Sequence, residues 1–480
     1  MIFVLSVLCL NGQTVDDVYT LSTSYYQGTA KSAAMGNAMG AVGQDFTAAN
    51  INPAGLSLFR KPSMSFTPSI NMASTNSDYR GNNAKDFRSK FSVNNFGFVG
   101  VSTNENSVCK HITWSLGMNR TNNFCNMTYA SGDNFEHSLL DAYASELYYA
   151  GVTNDNQLYD YSQSYIYPLW ETYLLDFDNG VAVPNVPLGN LYQHRSVNTW
   201  GGTNEWTFGM GFNFNDKVHL GFSINAPFTY YRRTATYGED ALEHGIQFKW
   251  WQQEENLSSR GWGIKAKFGV IVQPLQWLRL GAAVHTPSVS NITDTWETET
   301  FSDFGRVYSY RPNTYSFTYQ LTTPARYNIS AAFIFGNYGM VSADYEFVNY
   351  RHISLYSIDF NYSNLNHYIE DYYSPTSNIR LGTEWRYNNF CFRGGYAFYG
   401  SPFGFSNANG RTNMFSAGFG FTKGPVTWDF AYVYSLRMNK YDMYWPYTES
   451  TVNEAGNGNN TVKENNSLHS IVVSLKFRLY

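Results

Sequence analysis

Val341-Ser342-Ala343-Asp344-Tyr345-Glu346-Phe347 is the stretch whose reading decides the fold. Apolar Val341, Ala343, Tyr345 and Phe347 alternate with polar Ser342, Asp344 and Glu346. In a strand, a period of two sends the two sets to opposite faces, so one face is greasy and the other ionic. The same split recurs where Ile379, Leu381, Trp385 and Tyr387 alternate with Arg380, Gly382, Glu384 and Arg386. It recurs again in Val218, Leu220, Phe222 and Ile224 against His219, Gly221, Ser223 and Asn225. Leu278, Leu280, Ala282 and Val284 against Arg279, Gly281 and His285 repeat it, as do Ile264, Ala266, Phe268 and Val270 against Lys265 and Lys267.

Outward from that stretch, fourteen such segments are found, near 62–72, 90–101, 110–120, 204–214, 217–237, 260–272, 277–290, 326–336, 338–348, 377–387, 389–399, 412–421, 425–436 and 467–480. Their connections alternate in length. Six are short, at 102–109, 215–216, 273–276, 337, 388 and 422–424. Seven are long, at 73–89, 121–203, 238–259, 291–325, 349–376, 400–411 and 437–466. A soluble β-sandwich also alternates, but it has no reason to segregate its loops by length. An even strand number, tight turns at one end and long loops at the other are the marks of an outer-membrane barrel. Residues 62–480 are therefore expected to form an all-β fold, a 14-stranded antiparallel transmembrane β-barrel with long extracellular loops, the largest at 121–203. Closure pairs every backbone group, the greasy face meets lipid and the ionic face lines the lumen. Aromatic residues near strand ends, such as Trp206, Trp277, Trp385, Tyr387, Phe398 and Tyr399, fit interfacial girdles.

Composition agrees. Of 480 residues only 14% are charged, against roughly a quarter in soluble domains, while 18% are aromatic. So many large rings exclude a disordered chain. With 32 Lys+Arg against 37 Asp+Glu, there is no basic excess to neutralise phosphates, and no nucleic-acid partner is expected. Residues 1–12 read as a signal peptide shortened at its start, an apolar run ending at Asn11-Gly12. Beyond it, Cys109, Cys125 and Cys391 are odd in number and lack metal-ligand spacing, so free thiols are expected, with neither metal nor cofactor. The terminal strand places Ile471, Val473, Leu475, Phe477 and Leu479 on its apolar face and leaves Tyr480 out of phase.

Fourteen strands about 4.8 Å apart and tilted ~40° enclose a cylinder roughly 27 Å across, too wide for its own side chains to fill. Residues 13–61, with the small-residue run 28–43, are expected to fold into the lumen as a plug, burying Phe46, Ile51, Leu56, Leu58 and Phe59. Asn52-Pro53-Ala54-Gly55 is expected to form a turn there and to act as a movable gate, with Pro fixing φ and Gly allowing a positive φ.

The run 28–43 followed by Asp45-Phe46-Thr47-Ala48-Ala49-Asn50-Ile51-Asn52-Pro53-Ala54-Gly55-Leu56 resembles the amino-terminal hatch of the FadL/TodX family of outer-membrane transporters for hydrophobic compounds. Trp277-Leu278-Arg279-Leu280-Gly281, His285-Thr286-Pro287, Thr323-Pro324-Ala325 and Ser342-Ala343-Asp344-Tyr345-Glu346 resemble further segments of it. The resemblance implies passive uptake of a hydrophobic, fatty-acid-like small molecule across the outer membrane of a Gram-negative bacterium. It also implies contact with outer-membrane lipid and insertion by the barrel assembly machinery.

Candidate luminal ligand-binding residues are Phe46, Phe59, Lys265, Lys267, Arg279, Arg380 and Arg386. The cations could meet a carboxylate head group; rows of luminal charge more often cross-pair into ladders that stiffen the wall. In the loop 121–203, Leu139, Tyr143 and Leu147 fall at helical spacing, which suits a capture groove or a lid on the rim. No GxSxG or HExxH motif and no clustering of the nine His point to an enzyme. The alternative reading is a secretion-associated barrel that holds an exported protein at the surface.

Overall fold

A computed structural model describes residues 15–403, 410–444 and 460–479. The expected signal peptide 1–12, Tyr480, and parts of the expected loops 400–411 and 437–466 lie outside the described residues. Fourteen wall strands follow in order: β1 (Ser63–Tyr79), β2 (Asn82–Thr103), β3 (Cys109–Asn123, resumed at Asn126–Asn134), β4 (Leu191–Phe214), β5 (Val218–Ala241), β6 (Trp250–Leu275) and β7 (Leu278–His285, resumed at Val289–Asp303). The rest are β8 (Tyr315–Thr322, resumed at Arg326–Phe335), β9 (Gly339–Asn349), β10 (Pro375–Tyr387), β11 (Phe390–Tyr399), β12 (Thr412–Lys423), β13 (Val426–Asp442) and β14 (Thr461–Arg478). Each pairs antiparallel with the next, and β1 closes the cylinder on β14 from Ser63↔Arg478 to Asp78↔Lys463. The deciding stretch lies in β9, where Asp344 and Glu346 are buried inside while Val341, Tyr345 and Phe347 are exposed.

Three expected long loops are corrected. Segment 73–89 is a tight hairpin turning at Arg80-Gly81, both with positive φ. Within 238–259 and 291–325 the strands of β5 to β8 continue far past the greasy segments. The reason is physical. Once the outer face rises out of hydrocarbon, it no longer needs apolar residues: on β1 the outward series Met64, Phe66, Ile70, Met72 gives way to Ser74, Asn76, Asp78. Strands of 24, 24 and 26 residues in β4, β5 and β6 greatly exceed the about ten that cross a membrane, so the excess extends the wall well beyond the apolar band.

That wall carries a cap. Helix α4 (Leu139–Ala150) starts at a reciprocal Ser138–Asp141 capping box and stops at left-handed Gly151. Its Leu139, Leu140, Tyr143 and Leu147 pack with Leu158, Ile166, Leu169 and Trp251, so the helix expected from 3.6 spacing is a rim lid with a core of its own. The N-terminal segment lies inside the barrel as α1 (Val15–Ser22), α2 (Ala30–Ala34), α3 (Ala48–Ile51) and a 3-10 turn over Pro53–Leu58, and it is buried almost throughout. Cys109, Cys125 and Cys391 are free.

Candidate functional site in the plugged lumen

The plug touches the wall where the wall has almost no side chains. Gly97 pairs with Gly117, and Phe46 lies over both. Gly211 pairs with Gly221 and Gly221 with Gly269. A methyl group on these three would run into Leu56 and Ser57, Pro53 and Ala54, and Asn52, respectively. Gly281 pairs with Ser330, Ser342 with Gly382, Gly382 with Gly395, and Gly418 with Ala431. Met35, Gly36 and Ala34 fill the space over the last of these. A band of directly paired small residues thus runs around most of the lumen at one level. Glycine weakens a strand, and its recurrence marks where another backbone must come close. Sequence reading placed several of these glycines on the inner face but missed the band, because it appears only once the registers align them.

Wall side chains then satisfy the plug's backbone, as burial requires. Ser342 Oγ donates to Ala38 O at 2.8 Å, Ser416 Oγ to Ala34 O at 3.0 Å, and Arg279 to Val42 O at 3.1 Å. Asp344 accepts from Gly40 N at 3.0 Å, Ser474 Oγ from Ala30 N at 2.7 Å, and Lys267 Nζ donates to Asn50 O at 3.0 Å. At the expected gate, Asn52 Nδ2 donates to Gly40 O at 2.8 Å and Val270 O at 3.2 Å, and its Oδ1 accepts from Ala54 N at 3.1 Å. Pro53 opens the 3-10 turn as expected, whereas Gly55 has no positive φ; glycine is needed because an added Cβ would sit 3.1 Å from the Gly43 Cα. Below the plug, Arg60 and Lys110 both bind Asp216 in the β4–β5 turn, at 2.7 and 2.9 Å. The hydrogen bond from Lys110 and the nearby Arg60 hold that carboxyl down to about 2.

The candidate cations sit in networks. Lys265 and Lys267 both clasp Glu205. Arg380 lies between Asp344 and Glu346 at 3.8 and 3.3 Å, and Arg326 adds to Glu346 at 3.1 Å. Arg386 binds Glu384 at 2.7 Å, and Arg393 links Glu384 to Asp429 at 2.7 and 2.6 Å. Phe46 and Phe59 pack with Ala49, Leu56 and Val99 beside a void of about 10 Å³, the room of a single water.

Above the plug the lumen turns aromatic. Val18, Tyr19 and Leu21 of α1 pack into Phe124, Tyr231, Trp296, Tyr319, Tyr350, Tyr373 and Phe317. Tyr19 stacks on Tyr373 with ring centroids 5.3 Å apart and meets Tyr350 edge-on at 5.2 Å. A cavity of about 40 Å³ lies beside this cluster, lined by Leu21, Lys265, His285, Ile292, Leu321 and Arg326 where β7 and β8 break at Thr286-Pro287-Ser288 and Thr323-Pro324-Ala325.

Between β2 and β3 the ladder is interrupted. β2 pairs with β3 only from Asn95↔Asn119 to Thr103↔His111, leaving residues 82–94 bonded to β1 alone. Beyond Asn123 the third strand turns inward. Its resumed part pairs with β4, while Asn126 accepts from Thr75 Oγ1 at 3.3 Å and Ser131 O from Asn82 at 3.0 Å, behind the β1–β2 hairpin. Gly201, at φ 127, lies between the two stretches of β4 paired to β3, after Asn123↔Gly202 and before Asn126↔Thr199. The result is a stretch of wall, along residues 82–94, where the β2–β3 ladder is missing and the resumed part of β3 lies behind it.

The chain is a closed fourteen-stranded barrel filled by its own N-terminal segment, with its β2–β3 ladder interrupted. Its fold is that of the FadL/TodX channels. The structure of a Pseudomonas aeruginosa FadL homologue superposes with a TM-score of 0.57 at 12% identity, covering 96% of this chain and 100% of the other. The Pseudomonas putida toluene transporter TodX gives 0.55 at 12%, covering 96% and 99%. The monoaromatic hydrocarbon channel CymD gives 0.50 at 14%, covering 94% and 98%. No protein-family model and no curated protein matches the sequence.

Proposed function

We propose that the chain is an outer-membrane member of the FadL/TodX family that passively takes up hydrophobic small molecules, a fatty acid among the candidates. The observation that carries this reading is the aromatic luminal cluster, which includes Phe124 at the point where β3 leaves the wall, above a plug that blocks the straight path. A hydrophobic solute gains by leaving water for an apolar path and gains again by passing sideways into hydrocarbon, so it needs no energy input. In this reading α1 occupies the ligand's place among the aromatic rings and withdraws as the ligand enters. The loop lid guards the mouth, and Asn52-Pro53-Ala54-Gly55 is the gate of the periplasmic path. The ion-paired Lys265 and Arg326 at the cavity are the groups nearest to a ligand carboxylate.

The test is uptake. Proteoliposomes should accumulate a labelled monoaromatic hydrocarbon or a long-chain fatty acid faster than protein-free vesicles, and comparison of the two fixes the cargo class. No acceleration with either would refute transport. The secretion-associated alternative draws support from exposed Tyr148, Tyr149, Tyr173 and Ile358 on the extracellular side, and co-purification of a secreted protein in place of a small apolar molecule would favour it.

A further inference from the structure

Beside the gap in the β2–β3 ladder, three cations and two aromatic rings form one continuous array. Trp200 of β4 pairs with Arg232 of β5, and Tyr230 of β5 pairs with Arg260 of β6. All four share the outward phase of Trp206, Phe228 and Trp262; the exposed Phe228 and Trp262 rings lie one step, and Trp206 three steps, toward the apolar band. Lys90, on the unpaired edge of β2, reaches across the gap to place its Nζ 5.0 Å from the Trp200 ring, and Arg232 covers the same ring at 5.1 Å. Arg260 lies 4.9 Å from the Tyr230 ring, and the Trp200 and Tyr230 rings meet edge-on at 5.0 Å. Among the described residues none of the three cations has a carboxylate within ion-pair distance, whereas most luminal arginines do. An aromatic face orients a cation but leaves its charge uncompensated.

We propose that this array is a binding site for the phosphate of an outer-leaflet lipid headgroup, held at the edge of that gap. Guanidinium groups engage phosphate with two parallel donors, and an ammonium adds a point charge. The level is right: aromatic rings just above an apolar band sit at the headgroup boundary, where anionic lipid attracts cations most strongly. A lipid anchored there would border the interrupted stretch of wall. The inference rests on the membrane-spanning reading of the barrel and does not depend on the cargo.

Full-length protein in detergent would be mixed with diphosphorylated lipid A, with the same lipid lacking both phosphates, or with inorganic phosphate, and followed by native mass spectrometry. The unmodified protein should retain the phosphorylated lipid roughly tenfold better than the dephosphorylated one. The triple variant Lys90→Gln, Arg232→Gln, Arg260→Gln should lose that preference, and Arg260→Gln alone should weaken it. Arg311→Gln, which removes a cation already bound to Glu299, should leave it intact. Retained gel shift on boiling shows that each variant is folded. Equal retention of the two lipids, an unchanged preference in the triple variant, or displacement of the lipid by millimolar phosphate would overturn the proposal, while hydrocarbon uptake reports on transport separately.

Discussion

Gly221 shows how much a single residue decides. Its missing side chain lets Pro53 and Ala54 lie directly on the wall, so Gly221→Val should expel that part of the plug while the outward face keeps its lipid contacts. Larger and noisier single-channel conductance in planar bilayers is the expected outcome, and Gly394→Ala, which meets only Thr383 at 3.8 Å, is the matched control that should conduct like the unmodified protein. Glu205 is decisive in the opposite sense. It is fully buried and is the shared partner of Lys265 and Lys267, so Glu205→Gln strands two cations in the lumen. Breaking a buried pair costs about 3–5 kcal/mol, which should appear as a lower midpoint of guanidinium unfolding in detergent. At the β4–β5 turn below the plug, the depressed Asp216 carboxyl stabilises the folded state above its unfolded pKa. That contribution is lost as pH falls toward about 2, so the clamp on Arg60 holds at neutral pH.

At the scale of elements, the third strand matters most. Its inward turn depends on Gly201, whose φ of 127 is closed to residues with a Cβ and whose carbonyl accepts from Arg120 and from Phe124 N at 3.4 Å. Gly201→Val is expected either to restore a regular β2–β3 ladder or to disorder the turn. Either way hydrocarbon uptake into proteoliposomes should fall several-fold, about a kcal/mol in apparent barrier, while the barrel still shifts on boiling. The same element explains the unpaired edge of residues 82–94, since a strand that leaves the wall takes its hydrogen bonds with it. The lid over the rim is built differently: α4 owes its limits to local capping, and its burial to Leu158, Leu169 and Trp251.

For the molecule as a whole, inside and outside are exchanged relative to a soluble domain. Exposed Ile379, Leu381 and Trp385 require acyl chains, and the protein is expected to aggregate when detergent is withdrawn, which light scattering would show. Deleting residues 14–58 removes the plug and the α1 contribution to the aromatic cluster together. An open pore with sustained conductance is the expected result; conductance equal to that of the full chain would sink the plug reading.

Read without coordinates, the chain already commits to strand number, pairing sense and the outward direction of its greasy faces, because alternation and turn spacing are local and each strand declares its own two faces. The α4 helix was legible because its 3.6-residue spacing is equally local. What needed the folded molecule were features spanning many strands. The true strand lengths above the membrane leave no apolar signal, and the band of Gly97, Gly117, Gly221, Gly269, Gly382 and Gly395 exists only through register. The partners of Lys265, Arg380 and Arg386 and the departure of β3 from the wall arise likewise from residues far apart in sequence. Local pattern sets which way a side chain points, whereas closure of the barrel decides what it meets.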